Sequence, residues 1–191
     1  MRRSLIAVVG DTHMQRGSAK RKAASALGER LADEGYLIVT GGLGDLPRAL
    51  AEGARSSKNY REGCLIALVP GFDPRAAGAN ADVPIATGLD QARNMLVANS
   101  DAVVAIGGGA GTLSEIAFAW ALKRLILAYR VDGWSGKLAG TRIDSRIRYP
   151  KLPDDQVYAV DGAEDVIRHL ARLLPKYSRR HTRIAVGKEE Q

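Results

Sequence analysis

The chain of 191 residues has one cysteine, three histidines and only 5% aromatic side chains, and each scarcity removes a class of protein. One thiol cannot close an intrachain disulfide, which excludes a disulfide-stapled scaffold. Cys64 opens the apolar run CLIALV and reads as a buried, inert thiol. No apolar stretch approaches the ~20 residues that cross a bilayer. Met1-Arg2-Arg3 leads into the short segment LIAVV rather than a signal-peptide core, so a cytoplasmic protein with no membrane partner is expected. No His, Cys and carboxylate set stands at ligand spacing; no metal site is expected, and His13 reads as a surface loop residue. Internal repeats and low-complexity segments are missing as well.

What is present is an ordinary globular composition, 46% apolar and 26% charged, of a length that suits one domain with a sizeable core. Residues 1–175 are assigned to that domain and 176–191 to a basic tail. The net charge of +7 gathers in a few places. Arg142, Arg146, Arg148 and Lys151 lie in a long polar stretch, 132–155, expected to fold over a surface or a partner subunit. Lys176, Arg179, Arg180, Arg183 and Lys188 lie in the tail. Neither segment has interleaved aromatics or a recognisable nucleic-acid motif, so both read as solvated, and a nucleic-acid partner is a distant alternative. Arg16, Lys20, Arg21 and Lys22 fall where the first helix begins. Cations there oppose the helix dipole, which suggests an anion nearby.

Short apolar runs alternate with helical patterns, the signature of a parallel sheet wrapped by helices on both faces. Strands are predicted at 5–9, 36–40, 64–69, 83–87, 101–106, 125–129 and 156–160, and helices at 19–34, 46–56, 89–99, 112–122 and 162–174. Pro47 suits a first helical turn with Asp45 as its cap. The fold class is therefore α/β: a single Rossmann-like domain with a mostly parallel sheet of about seven strands.

Ligands of such sheets bind beyond the carboxyl ends of the strands. Gly10, Asp11 and Thr12 follow the first strand; Gly41, Gly42, Gly44 and Asp45 follow the second. The fifth, DAVVAI, ends in Gly107-Gly108-Gly109-Ala110-Gly111-Thr112, from which a helix starts. Backbone amides opening that helix, with its dipole, suit a phosphate. Thr112 and Glu115 could otherwise be a capping box. Two glycine-rich turns opening two helices suggest one elongated ligand. Gly107, Gly109 and Gly111 lack the spacing of GxGxxG, although Asp132 lies about 20 residues on, where a ribose-binding acid would, so a dinucleotide enzyme stays an alternative. GWSGKLAG does not satisfy GxxxxGK[ST], which argues against a P-loop.

The run Gly108-Gly109-Ala110-Gly111-Thr112-Leu113-Ser114-Glu115 resembles the PGGxGTxxE signature of the Lonely Guy (LOG) phosphoribohydrolases and of their molybdenum-cofactor carrier relatives. Gly41-Gly42-Leu43-Gly44 resembles the family's second glycine turn, Arg93-Asn94 its arginine before the signature strand, and Trp134 with Ile143-Asp144 the carrier branch. LOG enzymes cleave the N-glycosidic bond of nucleoside 5′-monophosphates with an arginine and the signature glutamate, which the resemblance assigns to Arg93 and Glu115. Carriers hold a phosphorylated pterin on the same fold. Gly107 stands where the enzymes have proline, and Asn94 where they usually have lysine. The resemblance implies a homodimer that holds a phosphorylated small molecule, a nucleotide or the molybdenum cofactor as cargo, in a carrier or sensor role. A phosphoribohydrolase is the alternative.

Overall fold

The computed structural model describes residues 2–177. In chain order it contains β1 (Leu5–Gly10), α1 (Ala19–Asp33), β2 (Leu37–Thr40), α2 (Asp45–Ser56), β3 (Leu65–Val69), β4 (Val83–Ala86), α3 (Asn94–Ala98), β5 (Ala102–Ile106), α4 (Ala110–Ala121), β6 (Leu125–Tyr129), α5 (Trp134–Leu138), β7 (Val157–Val160) and α6 (Ala163–Leu173). Short 3-10 turns cover Pro74–Asn80, Asp90–Arg93 and Leu174–Tyr177.

The strands form one sheet in the order β4-β3-β2-β1-β5-β6-β7, and every neighbouring pair is parallel. This is the Rossmann-like α/β arrangement expected from the alternation of apolar runs and helical patterns. Successive side chains of a strand point to opposite faces, and β1 divides accordingly. Ile6 and Val8 pack with Leu27 and Leu31 of α1, Leu50 of α2 and Leu170 of α6. Ala7 and Val9 pack on the other side with Val97 of α3 and Ile116 and Trp120 of α4. Burial on both faces is why the central strands read as continuous apolar runs rather than alternating ones. The order grows outward from β1 in one direction and from β5 in the other, so their carboxyl ends flank a crevice where such sheets bind ligands.

Some expectations need correcting. The helix predicted over 89–99 is a 3-10 turn followed by the short α3, because Gly88 and Asp90 take positive φ (65° and 47°) and break the entry. The stretch 132–155 is a solvated basic loop only in part: Arg142, Arg146 and Lys151 are exposed. It contains α5, and Arg148 is buried at 4% exposure, its guanidinium 3.6 Å from the Trp120 ring centroid and paired twice with buried Asp155 at 2.8 and 2.5 Å. The boundary drawn at 175 falls within the 3-10 turn Leu174–Tyr177. Tyr177 is buried, donates to Asp155 at 2.6 Å and packs against Tyr149. The remainder of the basic tail, 178–191, lies outside the described residues.

Candidate functional site

Gly107 and Gly108 both adopt positive φ (69° and 95°), which turns the chain off β5 and into α4. A β-carbon at Gly108 would sit 2.2 Å from Thr112 Oγ1, so the turn tolerates no side chain there. Both amides are committed internally. Gly107 N–H donates to Ser135 Oγ (2.7 Å), and Gly108 N–H donates to Asp11 Oδ1 (2.8 Å), whose second oxygen accepts from Lys20 Nζ (2.6 Å). Asp11 is thus a brace joining β1, α1 and the turn. Thr112 does not cap the helix: Gly109 occupies the cap position, and the Thr112 hydroxyl donates to the Gly10 carbonyl at 3.2 Å. The capping-box reading of Thr112 and Glu115 therefore fails.

A cleft of about 350 Å³ opens beside this turn. Of the residues singled out by sequence, it gathers Gly10, Asp11, Thr12, Gly41, Arg93, Gly109, Ala110, Gly111, Thr112 and Glu115. Gly107, Gly108, Gly42 and Gly44 are not part of its lining; the first two shape the turn, Gly42 donates to Thr40 Oγ1, and Gly44 lies against the Thr12 carbonyl. Gly109, Ala110 and Gly111 are the exposed members of the run, and they open α4. The first amides of a helix have no intrahelical partner, so this is where an anion can be held.

Arg93, just ahead of α3, reaches Glu115 further along α4, Nη1 to Oε1 at 3.3 Å, and also donates to Asn94 Oδ1 at 2.5 Å. The guanidinium lies over Gly41, where a β-carbon would be 2.8 Å from Nη2, so glycine is what lets the arginine cross β2's end. Arg93 Nε is buried with no hydrogen-bond partner among the described residues. Glu115 is buried, and loss of water pushes its carboxyl up to about 7, while Arg93 pulls the other way. A buried glutamate near neutrality beside a cation can exchange a proton or balance a developing positive charge.

The second glycine turn is a weaker anion seat. Asp45 N–H donates to the Thr12 carbonyl at 2.8 Å, Pro47 has no N–H, and the Asp45 carboxylate stands at the opening of α2. Asp45 is not the cap, a position Gly44 holds; its carboxylate accepts from Met14 N–H (2.9 Å), which keeps its pKa low, with Arg48 and Arg21 adding to the effect. Two of the four cations at α1 pair inside the chain, Lys20 on Asp11 and Arg21 on Glu52 and Asp45, while Arg16 and Lys22 are exposed with no ion pair among the described residues. Sequence reasoning did not single out Gln91, which lines the cleft, or Ser135, which donates to Tyr129 O (2.8 Å) while accepting from Gly107. Gln91 stands two positions before Arg93 and was accessible to inspection. Ser135 gives no local signal, being brought in by the fold from 28 positions away.

Similarity to known proteins points the same way as the glycine run. The molybdenum cofactor binding protein from Rippkaea orientalis superposes with a TM-score of 0.72 at 28% identity, over 91% of this chain and 99% of that one. The Moco carrier protein from Chlamydomonas reinhardtii gives 0.70 at 27% identity, over 92% and 99%. An uncharacterised protein from Archaeoglobus fulgidus is 38% identical over 99 residues, which is 51% of this chain and 62% of that protein's length. Residues 3–164 match the profile of the SLOG cluster4 family. The chain belongs to the SLOG cluster4 family of LOG-like Rossmann proteins.

Proposed function

We propose that this protein binds a phosphorylated small molecule, a nucleotide or a molybdopterin-like compound, with its phosphate on the amides of Gly109, Ala110 and Gly111, and acts as a carrier or sensor in the cytoplasm. The observation that carries the reading is the exposed amide end of α4 facing a cleft whose other wall is Arg93. A volume of about 350 Å³ is within the usual range of small-molecule sites. Two similar structures are molybdenum cofactor proteins, which supports that cofactor as cargo. Among the described residues no His, Cys, Asp or Glu cluster could hold a metal, so the cargo would be gripped by phosphate and pterin rather than through molybdenum. Mass spectrometry and metal analysis of the protein purified under non-denaturing conditions test this. A phosphorylated pterin or nucleotide is expected to copurify, and to be lost from Gly109→Val. Failure of both compound classes to bind the wild type would refute it.

The second reading, a nucleoside 5′-monophosphate phosphoribohydrolase, is favoured by one contact, Arg93 on Glu115. In it Arg93 clamps the phosphorylated sugar and Glu115 stabilises the cationic ribose as the glycosidic bond breaks. Release of ribose 5-phosphate from nucleoside monophosphates, absent in Glu115→Gln, decides for it. A homodimer belongs to the same proposal. Met95 and Leu96 on α3 and Phe118 on α4 leave apolar surface exposed beside the Arg93–Glu115 wall, a face a second copy would cover.

A further inference from the structure

The sequence from Val166 to Lys188 carries Arg168, Arg172, Lys176, Arg179, Arg180, Arg183 and Lys188 and no Asp or Glu. Arg172 and Lys176 stand with Lys151 around a second cavity, about 630 Å³, that shares no residue with the ligand cleft. Arg130, which also lines it, is paired with Asp161, and His169 Nδ1 lies 3.1 Å from Asp165. Lys151, Arg172 and Lys176 have no ion pair among the described residues. Asp154 lines the cavity as well, so three cations stand against one carboxylate and leave a net positive field for something else to meet.

One wall of this cavity is the outer edge of β7, the last strand of the sheet. Val157 already uses that edge, donating to Thr141 O and accepting from Gly140 N–H, both at 2.8 Å. Alternate residues of a parallel strand turn their N–H and C=O to the same side, so Ala159 presents its pair there too. Val160 faces the other way, accepting from Arg130 N–H at the end of β6. Among the described residues nothing pairs with the Ala159 backbone. An unpaired edge of this kind is a template for an added strand.

We propose that the outer edge of β7 and its basic cavity form a docking groove for an extended acidic segment of a partner protein. Backbone pairing at Ala159 sets the register, and Lys151, Arg172 and Lys176 meet carboxylates on the incoming strand. Single-stranded nucleic acid fits less well, because Tyr158 is only 9% exposed and the His169 ring packs against it and Asp165, so neither ring in the lining offers a stacking platform. The chain's own tail brings charge of the same sign over most of its length. The proposal does not depend on the ligand assigned to the cleft.

Fluorescence anisotropy of a labelled peptide of alternating Glu and Val, titrated with the full chain, tests it. Saturable binding is expected, weakened at least about tenfold by Arg172→Glu with Lys176→Glu and reduced by raised salt. Ala159→Pro removes the outward N–H without touching the ladder to β6, and should also weaken binding; Lys151→Glu repeats the charge test from a loop. Lys58→Glu, the same single charge reversal as Lys151→Glu at another exposed site, should leave affinity unchanged. No binding, or equal binding by all variants, would overturn the proposal. Tighter binding of a single-stranded oligonucleotide at the same residues would overturn the partner class. Binding seen only after truncation beyond Tyr177 would assign the groove to the tail.

Discussion

Glu115 ties stability to pH in a direction opposite to most carboxylates. Burial raises its folded pKa from 4.5 to about 7, so the native state holds a proton that the unfolded chain has released. Its contribution is full below pH 4.5 and is lost as pH rises to about 7, by on the order of 3 kcal/mol. Glu115→Gln should flatten this part of the pH–stability curve, measured by urea unfolding; a wild-type curve already level between pH 5 and 7 would count against a protonated glutamate. Ligand affinity should follow. Above pH 7 the ionised carboxylate adds negative charge to the cleft, so phosphate ligands should bind less tightly at pH 8 than at pH 6.5, and equally in the Gln variant. Gly108 and Gly109 separate folding from binding. Gly108 combines positive φ with no room for a β-carbon, and Gly108→Val should cost more than about 2 kcal/mol. Gly109 has φ −100° and open space around its β-position, so Gly109→Val should cost no more than about 1 kcal/mol, the loss of a favoured cap residue, and leave a folded protein.

The strands were legible in the sequence because burial on both faces leaves uninterrupted apolar runs such as AVVAI and LILAY. α1 and α4 were legible from apolar spacing and from the glycine run ahead of the latter. The break between the 3-10 turn and α3 was not, although Gly88 and Asp90 are both residue types that take positive φ. Nor was the fate of Arg148, whose charge suggests solvent. Its burial requires Asp155 seven positions on, Trp120 from α4, and the carbonyls of Trp120 and Arg124, which accept at 3.2 and 3.1 Å. This pair anchors the segment between α5 and β7. Asp155→Ala would leave a buried, uncompensated guanidinium and should destabilise the protein by about 3–5 kcal/mol. The double variant Arg148→Met, Asp155→Leu should recover most of that loss in the same urea titration; no recovery would mean the ion pair is not the reason for the cost.

Across the assembled chain, sequence identified most of the cleft's lining because the strand ends of an open parallel sheet converge on one crevice. It could not separate the amides that face the crevice from those spent on structure. Gly107 and Gly108 differ from Gly109 in backbone conformation, positive against negative φ, and in what the fold places beside their amides, namely Ser135 and Asp11. Covering Met95, Leu96 and Phe118 by a second copy predicts a dimer by light scattering, and Met95→Asp with Phe118→Asp should yield a folded monomer; a monomeric wild type would remove that proposal. The most direct test of ligand binding is a crystal structure grown with adenosine 5′-monophosphate. Its phosphate is expected within hydrogen-bonding distance of the amides of Gly109, Ala110 and Gly111, with Arg93 beside it. A phosphate bound elsewhere while these amides stay bare would overturn the assignment of this turn as the anion seat.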